Sequence, residues 1–313
     1  MTKSGWALVA LLIATSALGC DPREGTVVSR AVGGDGIVGT YEDAEDGDWA
    51  GVVAVMLDDD PWPCTGTLID PEVVLTAAHC LEGYSSFAIR GGVDMGTALA
   101  DVAVATPHPD YDGELADLAL LKLDHAVTEI PFFGVVTDAN PAVGTHGKLL
   151  GYGVTSTWGE DFGVRRVGNT DVLGYPIEYG DAIVELGGEA GHCYSDSGGP
   201  FFVDEGDGWA IDAVSSFGAT EECTYADGSF STDTAPYAAW IEATVNGFTG
   251  HGLLDPGGAA DAGSDADADA DADAGSDADA GTGGGQNDGD SCGCSHVGAT
   301  GIRGGSTLLE TLC

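Results

Sequence analysis

The sequence predicts an all-β protein, a barrel or a sandwich, closed by one short helix and followed by an acidic tail that does not fold. Three observations carry this reading. From Ile37 to about Gly250, short runs rich in Val, Leu, Ile and aromatics recur between Gly, Pro, Asp and Asn. Helical spacing of apolar residues is almost absent from that stretch. After Gly250 the composition shifts to Asp, Ala, Gly and Ser, with little apolar larger than alanine.

Residues 1–19, MTKSGWALVALLIATSALG, hold one lysine, an apolar run from Trp6 to Ala14 and small residues before Cys20. That is the layout of a secretory signal, too short and wrongly flanked to span a membrane. Ala17-Leu18-Gly19-Cys20 resembles a bacterial lipobox, which implies a lipidated Cys20 as the mature N-terminus. The same Ala-Leu-Gly suits an ordinary signal peptidase, so a lipoprotein and a plain secreted protein both stand. Residues 20–36 follow as a propeptide or linker.

The globular region, 37–250, carries the runs GVVAVML, EVVLTAA, ADVAVAT, LALLKL, GKLLGYGV and WAIDAVSSFG, each read as a strand. PYAAWIEATV places Tyr237, Trp240, Ile241 and Val245 at helical spacing. About 210 residues suffice for one or two β cores.

Residues 251–290 form a low-complexity Asp/Ala/Gly linker that cannot bury enough surface to offset its ordering entropy. Its aspartates lack the turn glycine and bidentate glutamate of an EF-hand loop, so no defined calcium site is expected. The tail 291–313 opens with Cys292-Gly293-Cys294, similar to the start of a myxobacterial-type sorting tail. The apolar segment and basic cluster that complete such tails are missing. With His296 alone, this cysteine pair does not make a zinc site either.

The chain has 313 residues, with nine basic against 52 acidic side chains and a formal charge of −43. Such a field repels nucleic acid and anionic lipid, so neither is an expected partner; a lipid on Cys20 is the one membrane link. Eleven of the aspartates fall in 255–290. Eight cysteines in an exported chain point to disulfides, and four of them (Cys64, Cys80, Cys193, Cys223) lie in the globular region.

Three segments stand out chemically: CTGTLIDPEVVLTAAHC with His79, ADLALLKL with Asp117, and GHCYSDSGGP with Ser197. A serine hydroxyl is a weak nucleophile and needs an adjacent base. Histidine titrates near working pH, and a carboxylate fixes its tautomer. Singly, each has a bland reading: a satisfied histidine, a turn aspartate, a loop serine. Together they have the order His, Asp, Ser of one of three unrelated triad arrangements.

The words LTAAHC, DLALL and DSGGP resemble the signatures of the chymotrypsin-like (trypsin-family) serine peptidases, a likeness covering roughly residues 37–246. It implies two six-stranded antiparallel β-barrels, a C-terminal helix and an active site between the barrels. It also implies His79 as general base, Asp117 as its orienting carboxylate and Ser197 as nucleophile, acting on a protein or peptide substrate through an acyl-enzyme. The resemblance pairs Cys64 with Cys80 and Cys193 with Cys223, and has Ser216 hydrogen-bond the aspartate. Substrate backbone would lie along Ser216-Phe217-Gly218. No cofactor and no metal are expected, and the protein is expected to act as a monomer.

IVGTYEDAEDGDWAGVVAV resembles the family's mature start. Cleavage before Ile37 would free an amino group that inserts and pairs with Asp196, which makes the chain a zymogen needing an activating protease. Gly36 stands where many zymogens have Arg or Lys. Either a differently specific peptidase cuts there, or cutting follows Arg30 and trimming completes it. With Cys20 lipidated, that cleavage would also release the catalytic domain from its anchor.

The oxyanion hole would use the N–H groups of Ser197 and Ser195, the latter where the family normally has glycine. A serine keeps the N–H, and strain is expected if the backbone there is unusual. Gly191 takes the position of the pocket-bottom aspartate of trypsins, so no carboxylate is expected for Arg or Lys. Gly218 and Gly228 would leave the pocket walls open, with His192 and Ser215 making it partly polar. Large apolar or aromatic side chains fit before the scissile bond; acidic ones held by His192 are the alternative. From another class, a pseudoenzyme using the same barrels as a binding or adhesion module competes with the endopeptidase. An α/β-hydrolase esterase fails on triad order and on the lack of helices between strands.

Overall fold

The structure, a computed structural model, describes residues 37–254 apart from residues 46, 207 and 227. The expected signal, the segment 20–36 with Cys20, nearly all of the linker, and Cys292, Cys294 and Cys313 lie outside the described residues. Among those described, no helix is long and apolar enough to cross a membrane.

Two short strands, β1 (Val38–Gly39) and β2 (Tyr41–Asp43), precede the first barrel. That barrel comprises β3 (Val52–Leu57), β4 (Cys64–Asp70), β5 (Val73–Thr76), β6 (Phe87–Gly91), β7 (Thr97–Pro107) and β8 (Ala119–Leu123). It closes in the order β3-β4-β5-β8-β7-β6, so no edge is left open. Strands β3, β4 and β5 are buried along almost their whole length. This is why β3 and β5 read as continuous Val/Leu runs rather than as an alternation.

After β9 (Gly134–Val135) come β10 (His146–Gly151), β11 (Arg166–Gly174), β12 (Ile183–Gly187) and β13 (Ala190–Gly191). They are followed by β14 (Pro200–Asp204), β15 (Trp209–Gly218) and β16 (Ser229–Asp233). The second barrel runs β10-β14-β15-β16-β12-β11 and closes by pairing β10 with β11; β2 adds to the outside of β11. Strand β1 pairs antiparallel with β13, setting Val38 opposite Gly191. The expected two six-stranded antiparallel barrels are therefore present.

The chain ends in α1 (Ala238–Thr249), entered through a 3-10 turn at Ala235–Tyr237. Ile241 and Val245, one turn apart, are fully buried in the same apolar cluster as Leu118, Leu120 and Phe202. Each such side chain contributes about 1.5–3 kcal/mol on leaving water. The helix stops at Gly250, whose φ of 82° lets its N–H reach Asn246 O at 2.9 Å. Trp49, just before β3, packs on Phe133, Phe202 and Trp209 with ring centroids 5.4–6.2 Å apart. That cluster ties the entrance of the first barrel to β14 and β15 of the second.

Candidate active site

His79 opens a single 3-10 turn, His79–Leu81, directly after β5. The next residue, Cys80, is bonded to Cys64 at the start of β4. A cross-link over 16 residues contributes about 3 kcal/mol in the chain-entropy account and fixes the turn to the barrel wall. Cys64, His79 and Cys80 bring three ligand-type atoms together, but both sulfurs are in the disulfide and offer no thiolate to a metal.

Asp117 enters from the loop before β8 and is 2% exposed. Its Oδ2 lies 2.7 Å from His79 Nδ1, and its Oδ1 accepts the His79 backbone N–H at 2.8 Å. Ser216 Oγ donates to the same Oδ2 at 2.5 Å. Burial works to raise the Asp117 carboxyl, but the His79 ring and its charge, the Ser216 hydroxyl and the His79 N–H together hold it below the ordinary carboxylate value. An ionised carboxylate at Nδ1 puts the proton there and leaves Nε2 as an acceptor.

Ser197 sits on a turn gripped by the first barrel. Thr65 Oγ1 donates to Ser195 O at 2.9 Å, and Thr65 N–H donates to Ser197 O at 2.8 Å. The glycines after Ser197 are required by close approach. A Cβ on Gly198, where φ is +83°, would lie 2.1 Å from Thr76 Oγ1, and one on Gly199 would lie 2.3 Å from Leu150 O. Ser197 and His79 line one cavity, and no hydrogen bond links the Ser197 hydroxyl to the ring. Such bonds commonly tighten only when substrate binds.

Ser195 has φ +72°, the left-handed region that glycine adopts freely. The backbone there is unusual, with a side chain on it, which is the condition under which strain was expected. Among the described residues, no acceptor takes the N–H of Ser195 or of Ser197. Two unclaimed donors flanking a hydroxyl can serve an oxyanion.

The cavity, about 330 Å³, is lined by His192, Ser216, Phe217, Gly218, Gly228 and Ser229, among others. Gly191 and Ser215 do not line it. Gly191 lies in β13, and a Cβ there would meet Thr224 O at 2.3 Å and Ser229 Oγ at 2.7 Å. Ser215 is 1% exposed inside β15, so the expectation that it makes the pocket polar is corrected; Ser229 takes that place. The second disulfide, Cys193–Cys223, braces the wall. His192 Nε2 faces Phe217 O at 3.0 Å, and burial pushes its pKa down to about 4. The ring is neutral at pH 7 and offers no charge to an acidic side chain.

Asp196 is fully buried, with Oδ1 accepting Gly153 N–H at 2.8 Å and Oδ2 accepting Cys193 N–H at 2.9 Å. Burial raises its pKa to about 7, against the pull of those two N–H groups and of Arg166. Ile37 is 1% exposed and packs among Leu149, Ala190, Phe201 and Ala213. The next residue, Val38 in β1, pairs with Gly191 of β13, where the Gly191–Ser197 segment begins.

The sequence alone did not single out Arg165 and Arg166. Arg165 is wholly buried, donating to the carbonyls of Ala44, Glu45 and Val52. Its only signal in the sequence was a pair of adjacent arginines in a chain with so few cations.

The fold and these side chains define a class, and the chain belongs to the trypsin family: the family model named Trypsin matches residues 37–241. It is 27% identical to human kallikrein-4 over 203 residues, covering 58% of this chain and 77% of that one. Mouse chymotrypsin-C is 27% identical over 267 residues, covering 76% and 97%. A trypsin of Saccharopolyspora erythraea is 30% identical over 186 residues, covering 52% and 80%. A solved structure described as neuropsin, a serine protease expressed in the limbic system of mouse brain, superposes with a TM-score of 0.58. At 21% identity, over 66% of this chain and 98% of that one, it shares the fold.

Proposed function

We propose that this chain is an exported serine endopeptidase, made as a zymogen and activated by cleavage before Ile37. The observation that carries the reading is the chain Ser216–Asp117–His79, fixed by bonds of 2.5 and 2.7 Å, opening on the cavity that holds Ser197. In it, Ser197 Oγ attacks the scissile carbonyl while His79 Nε2 takes its proton. Asp117 stabilises the imidazolium, and the N–H groups of Ser195 and Ser197 receive the developing oxyanion. His79 then gives the proton to the departing amine, and water releases the acyl group by the same steps.

Large apolar or aromatic residues before the scissile bond fit a cavity walled by Phe217 with a neutral His192 and no carboxylate at Gly191. The exposed Glu221 and Glu222 at its lining oppose an acidic residue there. The zymogen reading is supported by buried Ile37 and by an Asp196 carboxylate that an amino group would keep ionised. Export is supported by the signal-like residues 1–19 and by two disulfides, which persist in oxidising compartments. Cys20 is the proposed lipid site, and the tail from Cys292 opens like a sorting signal. The test is hydrolysis of a peptide library by the processed protein and by Ser197→Ala. Cleavage after aromatic and large apolar residues, lost in the variant, supports the reading; strong Arg/Lys preference, or equal activity in the variant, overturns it.

A further inference from the structure

Arg166, the first residue of β11, is 5% exposed, and its guanidinium reaches two parts of the chain. On one side is the loop before it. Nη1 donates to Gly153 O at 3.0 Å and Val164 O at 3.4 Å, and Nη2 donates to Asp161 O at 3.2 Å, with Asp161 Oδ2 at 3.6 Å. On the other side is β2, shortly after Ile37. The guanidinium lies 5.9 Å from the centre of the Tyr41 ring, and Nε is 3.9 Å from Asp43 Oδ1. Gly153 is also the residue whose N–H holds Asp196. A Cβ on Gly153 would come within 2.5 Å of Asp196 Cγ, so the Gly153 backbone lies directly against the carboxylate that its N–H holds.

We propose that Arg166 is a positioning residue that couples the seating of the segment after Ile37 to the oxyanion turn. By pinning the Gly153 peptide against Asp196, it holds Cys193–Ser197 in the shape that aims the Ser195 and Ser197 N–H groups. This rests on reading the site as a serine-peptidase centre. The charged groups facing Asp196 are Arg166 and Asp161, joined after cleavage by the new amino group on Ile37. Arg166 is the buried cation among them, and it donates to the Gly153 carbonyl rather than to the carboxylate itself, so its role is geometric.

The experiment measures the rate at which a fluorophosphonate labels Ser197 in the full chain processed before Ile37, across pH. In Arg166→Met the rate falls about ten- to a hundredfold. The acid limb does not move, because the Ile37 amino group already keeps Asp196 ionised in the processed chain. Arg166→Gln, which keeps part of the donor set, loses less rate than Arg166→Met. Arg166→Lys also lowers the rate, since one ammonium cannot span the carbonyls of Gly153 and Asp161. A role in folding alone would reduce the amount of labelled protein and leave the rate per folded molecule unchanged. A folded Met or Gln variant with the wild-type rate overturns the proposal; if neither folds, a Lys variant labelled at full rate does. Wild-type protein that takes no label overturns the peptidase reading itself, and this proposal with it.

Discussion

Asp117 holds His79 at two points, the ring through Nδ1 at 2.7 Å and the backbone N–H at 2.8 Å. The double grip fixes both where the imidazole stands and how it is turned, so orientation and tautomer depend on one carboxylate. Replacing it changes the tautomer more than the geometry.

Asp117→Asn therefore lowers kcat by about 10⁴-fold with little change in KM. Ser216→Ala removes one of the donors to Asp117 Oδ2 and costs about tenfold, a single neutral-to-charged hydrogen bond's worth. Steady-state kinetics on both variants check this; a Ser216→Ala enzyme as impaired as Asp117→Asn would contradict the ranking.

Ser195→Gly relieves a side chain held at φ +72°. The left-handed region costs an L-residue about 1–2 kcal/mol, and glycine returns part of that as unfolded-chain entropy. The expected outcome is a gain of up to about 1 kcal/mol in a denaturant titration, with labelling of Ser197 as fast or faster. Slower labelling would mean that the serine side chain itself shapes the hole.

Gly191→Asp is not expected to create a trypsin-like pocket. Its Cβ would press on Thr224 O at 2.3 Å, so the variant loses about 1–3 kcal/mol of stability and gains no Arg/Lys cleavage. Efficient cleavage after arginine by this variant would show that the floor opens where the structure has it filled.

Stability of the unprocessed Ser197→Ala chain falls as pH rises from about 6.5 to 8. Asp196, Asp212 and Asp233 have carboxyls that burial raises to about 7, 8 and 7. Raised groups favour the folded state below their unfolded pKa, and that contribution is lost as pH climbs through the folded values. Buried His192 and His108, both lowered, act oppositely below about 6.5, which flattens the acid side. Asp117, also lowered, loses its contribution only as pH falls through the carboxylate range. Thermal melts across pH check this, and a Tm that rises between 6.5 and 8 contradicts it.

Much of the site was legible because it is written in contiguous words. The segments around His79, Asp117 and Ser197 each carry their flanking strands and, in two cases, a bridging cysteine. The buried runs of β3, β5 and β8 announced themselves by composition. Strand β11, RVGNTDVLG, did not: its glycines, Asn169 and Asp171 read as loop, and pairing with β10, β12 and β2 overrides that local preference. Arg165 and Arg166 were equally hidden, since what buries each guanidinium is a set of carbonyls that only the fold brings in: Ala44 and Val52, far away in sequence, around Arg165, and Gly153, across the preceding loop, at Arg166. The place of Ser215 failed for a related reason: adjacent residues of a strand face opposite ways, so Ser216 reaches Asp117 while Ser215 turns inward.

The central claim is an activated Ser197 served by a working oxyanion hole. Intact-mass analysis of the protein after fluorophosphonate treatment, with the adduct mapped by peptide, tests it most directly. The account predicts one adduct, on Ser197, in the form that begins at Ile37, and none in His79→Ala. A correctly processed, folded protein that takes no adduct would contradict it and leave the barrels as a binding module.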